Sequence, residues 1–315
     1  MKPIRWLTVA LGMLVSALIV GVIARDVDAT RLLRVLAAAD GSWIVLGVIA
    51  ILATMITRVR RWAVLLRPIV LPSATLLRAL LIGQVLNFVL PLRLGDVARS
   101  AIVGRAPHAS FERVLGSVAI EKAWDWLTLA LLAIVVALSV PVPAWYSVPL
   151  RSIGLIAAIV LIGFGVIALT PTGRGSPRLD RISNRLKFAD RARRLCASLV
   201  ALRDRSTLGQ SAVWSLLTWG LGVVANYGVL RAYAVESWSG ALVLMVALMI
   251  GITLPPSIAA LGLFEGVTIA ALSVVAVPLE IALAIGLTLH VVIFVPPLIG
   301  AGLLLILAKP GPRSA

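Results

Sequence analysis

The sequence predicts an all-α protein that crosses a membrane several times, with six full spans and two shorter re-entrant, broken-helix elements set in inverted halves. Three observations lead there. Of the 315 residues, 61% are apolar and only 13% are charged, with a mean hydropathy of +1.07; a soluble domain is about a quarter charged. The apolar residues come in continuous runs rather than in alternation, the pattern of helices and not of a β-barrel. Finally, two apolar runs stop at proline and glycine after about half a bilayer, whereas a full crossing takes about 20 apolar residues.

In chain order, the first expected span is Ile4 to Ala24, preceded by Lys2 and Arg5. Its apolar run is long for a signal peptide and many spans follow it, so it reads as a retained helix. Arg25 to Gly41 reads as a polar loop, and Trp43 to Thr57 as a short second span. Arg58, Arg60, Arg61, Arg67 and Arg78 then surround an apolar piece, Trp62–Leu71, expected along the membrane surface. The first broken element comprises Leu80–Leu90 and Leu94–Val103, with Pro91 and Gly95 as its hinges. Val114–Val140 is the third span and Ser152–Thr170 the fourth. Residues 171–209 hold ten Lys/Arg, and Leu179, Ile182, Leu186, Leu195, Leu199 and Leu202 recur at mostly helical spacing. That is the pattern of a basic amphipathic surface helix. Ser211–Leu230 is the fifth span. The second broken element comprises Ala241–Leu254 and Leu263–Val277, hinged at Pro255 and Gly262, and Leu279–Ala308 is the last span.

Charge sets the orientation. With the N-terminus inside and each broken element returning to its side of entry, 22 of the 29 Lys/Arg face the cytoplasm. Five face outside (Arg25, Arg31, Arg34, Arg151 and Arg231), and Arg93 and Lys122 lie at depth. Both termini are therefore expected in the cytoplasm. The two halves repeat one order of elements with opposite entry, the inverted-repeat plan in which broken helices meet near the midplane. Residues 1–315 are expected to form one membrane domain, with 1–140 as the first half and 141–308 as the second. The net charge of +16 fits membrane lipids and anionic lipid headgroups as partners rather than nucleic acid.

Irregular backbone in hydrocarbon must be buried in protein or line a wet cavity. At the first break this singles out Asn87, Arg93, Asp96 and Arg99. Arg93 offers a guanidinium fork to a phosphate; Arg99 does the same or snorkels to the inner surface. Asp96 holds Arg93 or caps the second half-helix, and a purely structural turn with an Arg93–Asp96 ion pair is the plain alternative. In the third span Glu121 and Asp125 share a helix face, with Lys122 about 100° away by the helical period. Charges inside a span mark a pathway or a paired interior, and two carboxylates also raise acid–base catalysis. Glu265 of the second broken element binds a cation or caps the half-helix that starts at Leu263. His290 titrates near neutrality or simply packs. Asn226 and Tyr227 are expected to bond between helices. No phosphate-binding loop, nucleotide fingerprint or metal spacing occurs, and the single Cys196 makes neither an intrachain disulfide nor a Cys-rich site. No cofactor and no metal are expected.

The run Gly83-x-x-x-Asn87-x-x-x-Pro91-x-Arg93-x-Gly95-Asp96-x-x-Arg99 resembles the family of lysylphosphatidylglycerol synthase transmembrane regions. So do Ser117–Lys122 with Asp125, and the late Leu254-Pro255 with Gly262-Leu263-Phe264-Glu265-Gly266. Asp96 stands where that family more often carries Glu, and Lys122 where Arg is common; both keep the charge. The resemblance implies an integral protein of the bacterial inner membrane that handles lipid. In the aminoacyl-lipid branch this region flips charged phosphatidylglycerol derivatives and is joined to a cytosolic aminoacyltransferase domain, which is not expected here. Stand-alone relatives are linked to other lipids, such as hopanoids, or sit beside glycosyltransferases. The expected function is translocation of an anionic or zwitterionic lipid. The alternatives are a polyprenyl-phosphate-dependent glycosyltransferase using Glu121 and Asp125, or an accessory subunit of a separate lipid-modifying enzyme.

Overall fold

Among the residues the structure describes, apolar helix packs on apolar helix. The computed structural model describes residues 3–89, 94–141, 143–169, 204–251 and 261–307. Among these residues every regular element is an α-helix, eleven in all. They are α1 (Pro3–Asp26), α2 (Ala29–Ala37), α3 (Gly41–Leu65), α4 (Ser73–Val89), α5 (Leu94–Val103) and α6 (Phe111–Ser139). After them come α7 (Ala144–Leu169), α8 (Arg205–Ala232), α9 (Trp238–Gly251), α10 (Leu263–Ser273) and α11 (Leu279–Leu307). Five of these, α3, α6, α7, α8 and α11, are long and apolar enough to cross a membrane. Three others, α4, α9 and α10, are apolar but shorter. The protein is an all-α, multi-pass membrane protein.

Two boundaries differ from the sequence expectation. The loop expected over Arg25 to Gly41 contains α2, whose Asp28 carboxylate accepts from the Thr30 and Arg31 N–H groups at 2.8 and 3.2 Å. An N-cap satisfies donors that a helix start leaves open, so a short amphipathic stretch becomes a helix. The second correction matters more. The short second span and the first four residues of the expected surface piece, Trp62 to Leu65, are one 25-residue helix, α3, which runs unbroken through Arg58, Arg60 and Arg61. Arg61 and Trp62 are buried within it. The helix survives three arginines because the ion pairs described below offset the cost of burying Arg61.

The packing pairs the two halves. α3 and α8 lie against each other along much of their length. Small residues permit this close approach: a Cβ on Gly228 would stand 3.0 Å from the Trp43 carbonyl oxygen, and one on Gly47 would stand 3.4 Å from that of Ala225. The Thr57 and Thr218 hydroxyls add a hydrogen bond across the contact at 2.8 Å. Around this central pair the contacts come in matched sets. α4 packs on α11 as α9 packs on α6; α5 packs on α6 as α10 packs on α11; α3 packs on α4 as α8 packs on α9. An exchange of equivalents of this kind is what two halves related by a two-fold rotation produce. Asn226 of α8 donates to the Ala241 carbonyl of α9 at 3.3 Å, and Tyr227 stacks on Trp238 at 3.8 Å. Asn226 therefore hydrogen-bonds between helices, whereas the contact described for Tyr227 is a ring stack.

Candidate functional site

The site grows from the contact of α4 with α5. Gly83 and Gly95 bring the two backbones so close that a Cβ on Gly95 would collide with the Gly83 carbonyl, and a glycine is required there. Asn87 of α4 accepts the Gly95 N–H at 2.8 Å, which satisfies one of the open donors at the start of α5. Asp96, in the first turn of α5, is placed where a helix N-terminus favours an anion.

α5 then presents Arg99 to α6. Arg99 is 2% exposed and bonds Glu121 at 2.9 Å and Asp96 at 3.1 Å. Its guanidinium also sits 4.8 Å over the Trp62 ring, an attractive cation–π arrangement. Arg61 of α3 approaches Glu121 from the other side at 3.2 Å and Asp125 at 2.8 Å. Arg61 and Glu121 are both 1% exposed. Arg61 also donates to the Ser215 hydroxyl of α8 at 3.1 Å, and the Trp62 indole N–H donates to Ser117 of α6 at 3.0 Å. Lys122 completes the ring, 3.7 Å from Asp96 and 3.6 Å from Asp125. Four helices, α3, α5, α6 and α8, are thus tied by one network.

The network is dry at its centre and wet at its rim. Side-chain exposure rises from 1% at Glu121 to 19% at Asp96, 25% at Asp125 and 33% at Lys122. It is also short of negative charge. Arg58, one turn before Arg61, has Glu121, Arg99, Arg61 and Asp125 as its electrostatic neighbours, yet its hydrogen-bond partner is the neutral Gln84 of α4 at 2.8 Å. Among the described residues, four cations (Arg58, Arg61, Arg99 and Lys122) meet three carboxylates. Beside the cluster, α3, α4 and α11 line a half-open apolar pocket of about 540 Å³, with Arg60 and Ser73 among its lining and Pro296 and Pro297 on its α11 wall.

The sequence candidates fare differently. Asp96, Arg99, Glu121 and Asp125 are brought together, and Asn87 supports them through Gly95. Arg99 does not snorkel to a surface; it is buried between two carboxylates. Arg93 and Pro91 lie outside the described residues, as do Pro255 and most of the basic 171–209 segment. Among the described residues the partners of Glu121 are Arg61 and Arg99. Glu265 is not part of this cluster. It accepts the Gly262 N–H at 2.7 Å, capping α10 at a glycine with φ +78°, and meets His290 at 2.8 Å. Arg58, Arg61, Gln84 and Ser215 were missed. One signal was present: Arg58 and Arg61 are three residues apart on the face that also carries Thr54 and Thr57, a polar stripe on an otherwise apolar helix.

The chain resembles Glycosyltransferase AglD of Haloferax volcanii, at 28% identity over 134 residues. The match covers 42% of this chain and 22% of that protein, so the chain spans well under a third of that relative's length. The family described as the lysylphosphatidylglycerol synthase TM region matches residues 9–301. The whole of α3 to α10, with the ionic cluster and the glycine contact that supports it, falls inside this match, and the chain belongs to the lysylphosphatidylglycerol synthase transmembrane-region family.

Proposed function

We propose that this protein moves an anionic or zwitterionic lipid between the leaflets of a bacterial inner membrane, with both termini in the cytoplasm. The observation that carries this reading is the surplus cation at Arg58, held beside a buried arginine–carboxylate network that opens at Asp96, Lys122 and Asp125. A charge at membrane depth is costly unless an anion meets it, and a phosphodiester is the anion a lipid brings. Guanidinium groups bind it through paired N–H donors. The adjoining apolar pocket falls in the usual size range for a bound ligand and accepts part of an acyl chain. The α4/α5 and α9/α10 pairs act as re-entrant elements of inverted halves that meet at the site. Arg93, placed by sequence between Pro91 and Gly95, is a further phosphate ligand.

The test is lipid flipping in proteoliposomes of phosphatidylethanolamine and phosphatidylglycerol, read by quenching of a labelled phosphatidylglycerol. Arg58→Gln leaves no carboxylate unpaired, so it retains the fold while flipping falls about tenfold or more, the worth of one charge-assisted hydrogen bond. Arg93→Lys, which keeps charge but loses the fork, slows flipping with melting temperature unchanged. Wild-type rates in both variants overturn the reading.

The likeness to a glycosyltransferase favours a second reading, in which Asp125 at the wet rim acts as base on a polyprenyl-phosphate sugar. Arg61 already occupies its Oδ1, which weakens it for that task. Consumption of a polyprenyl-phosphate sugar by the purified protein, without flipping, selects this reading.

A further inference from the structure

We propose that Glu265 and His290 form a proton-binding site that couples lipid movement to a proton gradient, an inference that rests on the lipid translocation proposed above. The pair joins α10 to α11, with Glu265 Oε1 and His290 Nδ1 2.8 Å apart and side chains 7% and 13% exposed. The other carboxylate oxygen accepts the Gly262 N–H at 2.7 Å. Both oxygens of an ionised Glu265 are thus used, and a neutral His290 donates its Nδ1–H. Nε2 is then the atom free to take a proton. The pair carries one negative charge in that form. One proton added at Nε2 makes an imidazolium and brings the pair to neutrality, with no covalent bond broken. In a low-dielectric interior the neutral and charged forms differ steeply in cost, so uptake and release of this proton bias the element that holds the pair.

Its place in the fold distinguishes it from an ordinary packed histidine. Glu265 is the third residue of α10, and His290 is the twelfth of the 29-residue α11. In the first half Asp96 is the third residue of α5, and Lys122 is the twelfth of the 29-residue α6; these two also pair, at 3.7 Å. The same two positions therefore hold an acid–base pair in both halves. The first half uses lysine, an ammonium with three N–H donors and no acceptor, and the second uses histidine, whose second ring nitrogen can take up or release a proton. A proton can exchange only in the second half.

A relay of packed side chains also leads from the pair toward the helix contact that supports the cluster. The imidazole lies between Phe264 and Phe294, with centroids at 5.0 and 4.4 Å, and Phe294 meets Phe88 of α4 at 4.3 Å. Phe88 follows Asn87, the residue that accepts the Gly95 N–H at the start of α5. The other charged or titratable groups on elements packed against α10 and α11 lie elsewhere among the described residues. Tyr233, at the end of α8, meets Thr288 at 2.5 Å; Arg31 of α2 pairs with Glu280 in the first turn of α11; Arg60 of α3 lines the pocket near Pro296. α1 reaches α10 through Ser16 and Ile19, and α4 reaches the imidazole region through Phe88.

The experiment uses the full-length protein in vesicles of phosphatidylethanolamine and phosphatidylglycerol, with trapped pyranine reporting internal pH and quenching of labelled phosphatidylglycerol reporting flipping. A pH gradient across the vesicle is expected to raise wild-type flipping severalfold, with proton movement in step. In His290→Lys, which installs the pairing of the first half, the gradient no longer changes the rate. Glu265→Gln is the second variant, and thermal melting of the same samples identifies any that has lost its fold. A wild-type rate that ignores the gradient overturns the proposal while leaving lipid translocation intact. So does a folded His290→Lys that responds as the wild type does. If no lipid moves under any condition, the lipid reading fails and pyranine decides alone. Proton movement lost in His290→Lys then supports the pair, and its absence in the wild type overturns it.

Discussion

Arg61 has the least room for change. It neutralises Glu121 and Asp125 from a position only 1% exposed. Removing one partner of a buried ion pair leaves the other uncompensated, so Arg61→Ala is expected to cost about 3–5 kcal/mol. Arg58→Gln strands no carboxylate and costs far less. Thermal unfolding in detergent separates the two; equal melting temperatures show that the Arg61 network adds nothing to the fold. The same residues mark the limit of what the sequence told. Asp96, Arg99, Glu121 and Asp125 were legible because a charge inside an apolar run is costly and must have a purpose. Arg61 was not, because three arginines within four residues end a hydrophobic stretch on any transfer scale. Its partners lie 60 and 64 residues away on another helix, beyond the reach of local pattern.

At the scale of elements, helix existence and order were legible because long apolar runs are unambiguous, and boundaries were set by caps that a hydropathy profile does not weigh. Asp28, Asp40 and Asp204 each accept backbone N–H groups at the start of a helix. Asp204 takes hydrogen bonds from the Thr207 hydroxyl and from the Thr207 and Ser206 N–H groups, and these hold its carboxyl below the usual aspartate value. A depressed carboxyl stabilises the fold above its unfolded pKa and loses that contribution as pH falls through its folded value. The melting temperature is therefore expected to drop below pH about 4. Asp204→Asn, which still caps but does not titrate, should show a smaller drop; an equal drop places the acid sensitivity elsewhere. The α4–α5 contact has a sharper requirement. Gly95→Ala forces a methyl group into the Gly83 carbonyl, which should separate the helices, lower stability and abolish transport in the flipping assay. Normal activity in Gly95→Ala shows that α5 need not sit so close.

For the whole molecule, the matched contacts of the two halves were foreshadowed by the order of elements, although Pro91 and Pro255, the landmarks that the sequence offered, lie outside the described residues. A common register appears instead in side chains: Asp96 with Lys122, and Glu265 with His290, at the same positions of their helices. Sequence identity alone could not reveal this, because the halves keep the acid–base pairing while changing the base. The proposed orientation rests on charge. Moving Arg58, Arg61 and Arg99 from the cytoplasmic count into the ionic network leaves about 19 against five and the sign of the bias unchanged. On the proposed orientation the loop between α8 and α9 is expected outside and Cys196, in the basic segment, inside. A membrane-impermeant maleimide applied to intact cells should label Glu236→Cys, which lies on that exposed loop, and should label Cys196 only after permeabilisation. The opposite pattern inverts the protein in the membrane. It would also place the Lys/Arg-rich face outside, where the charge of the inner leaflet cannot hold it.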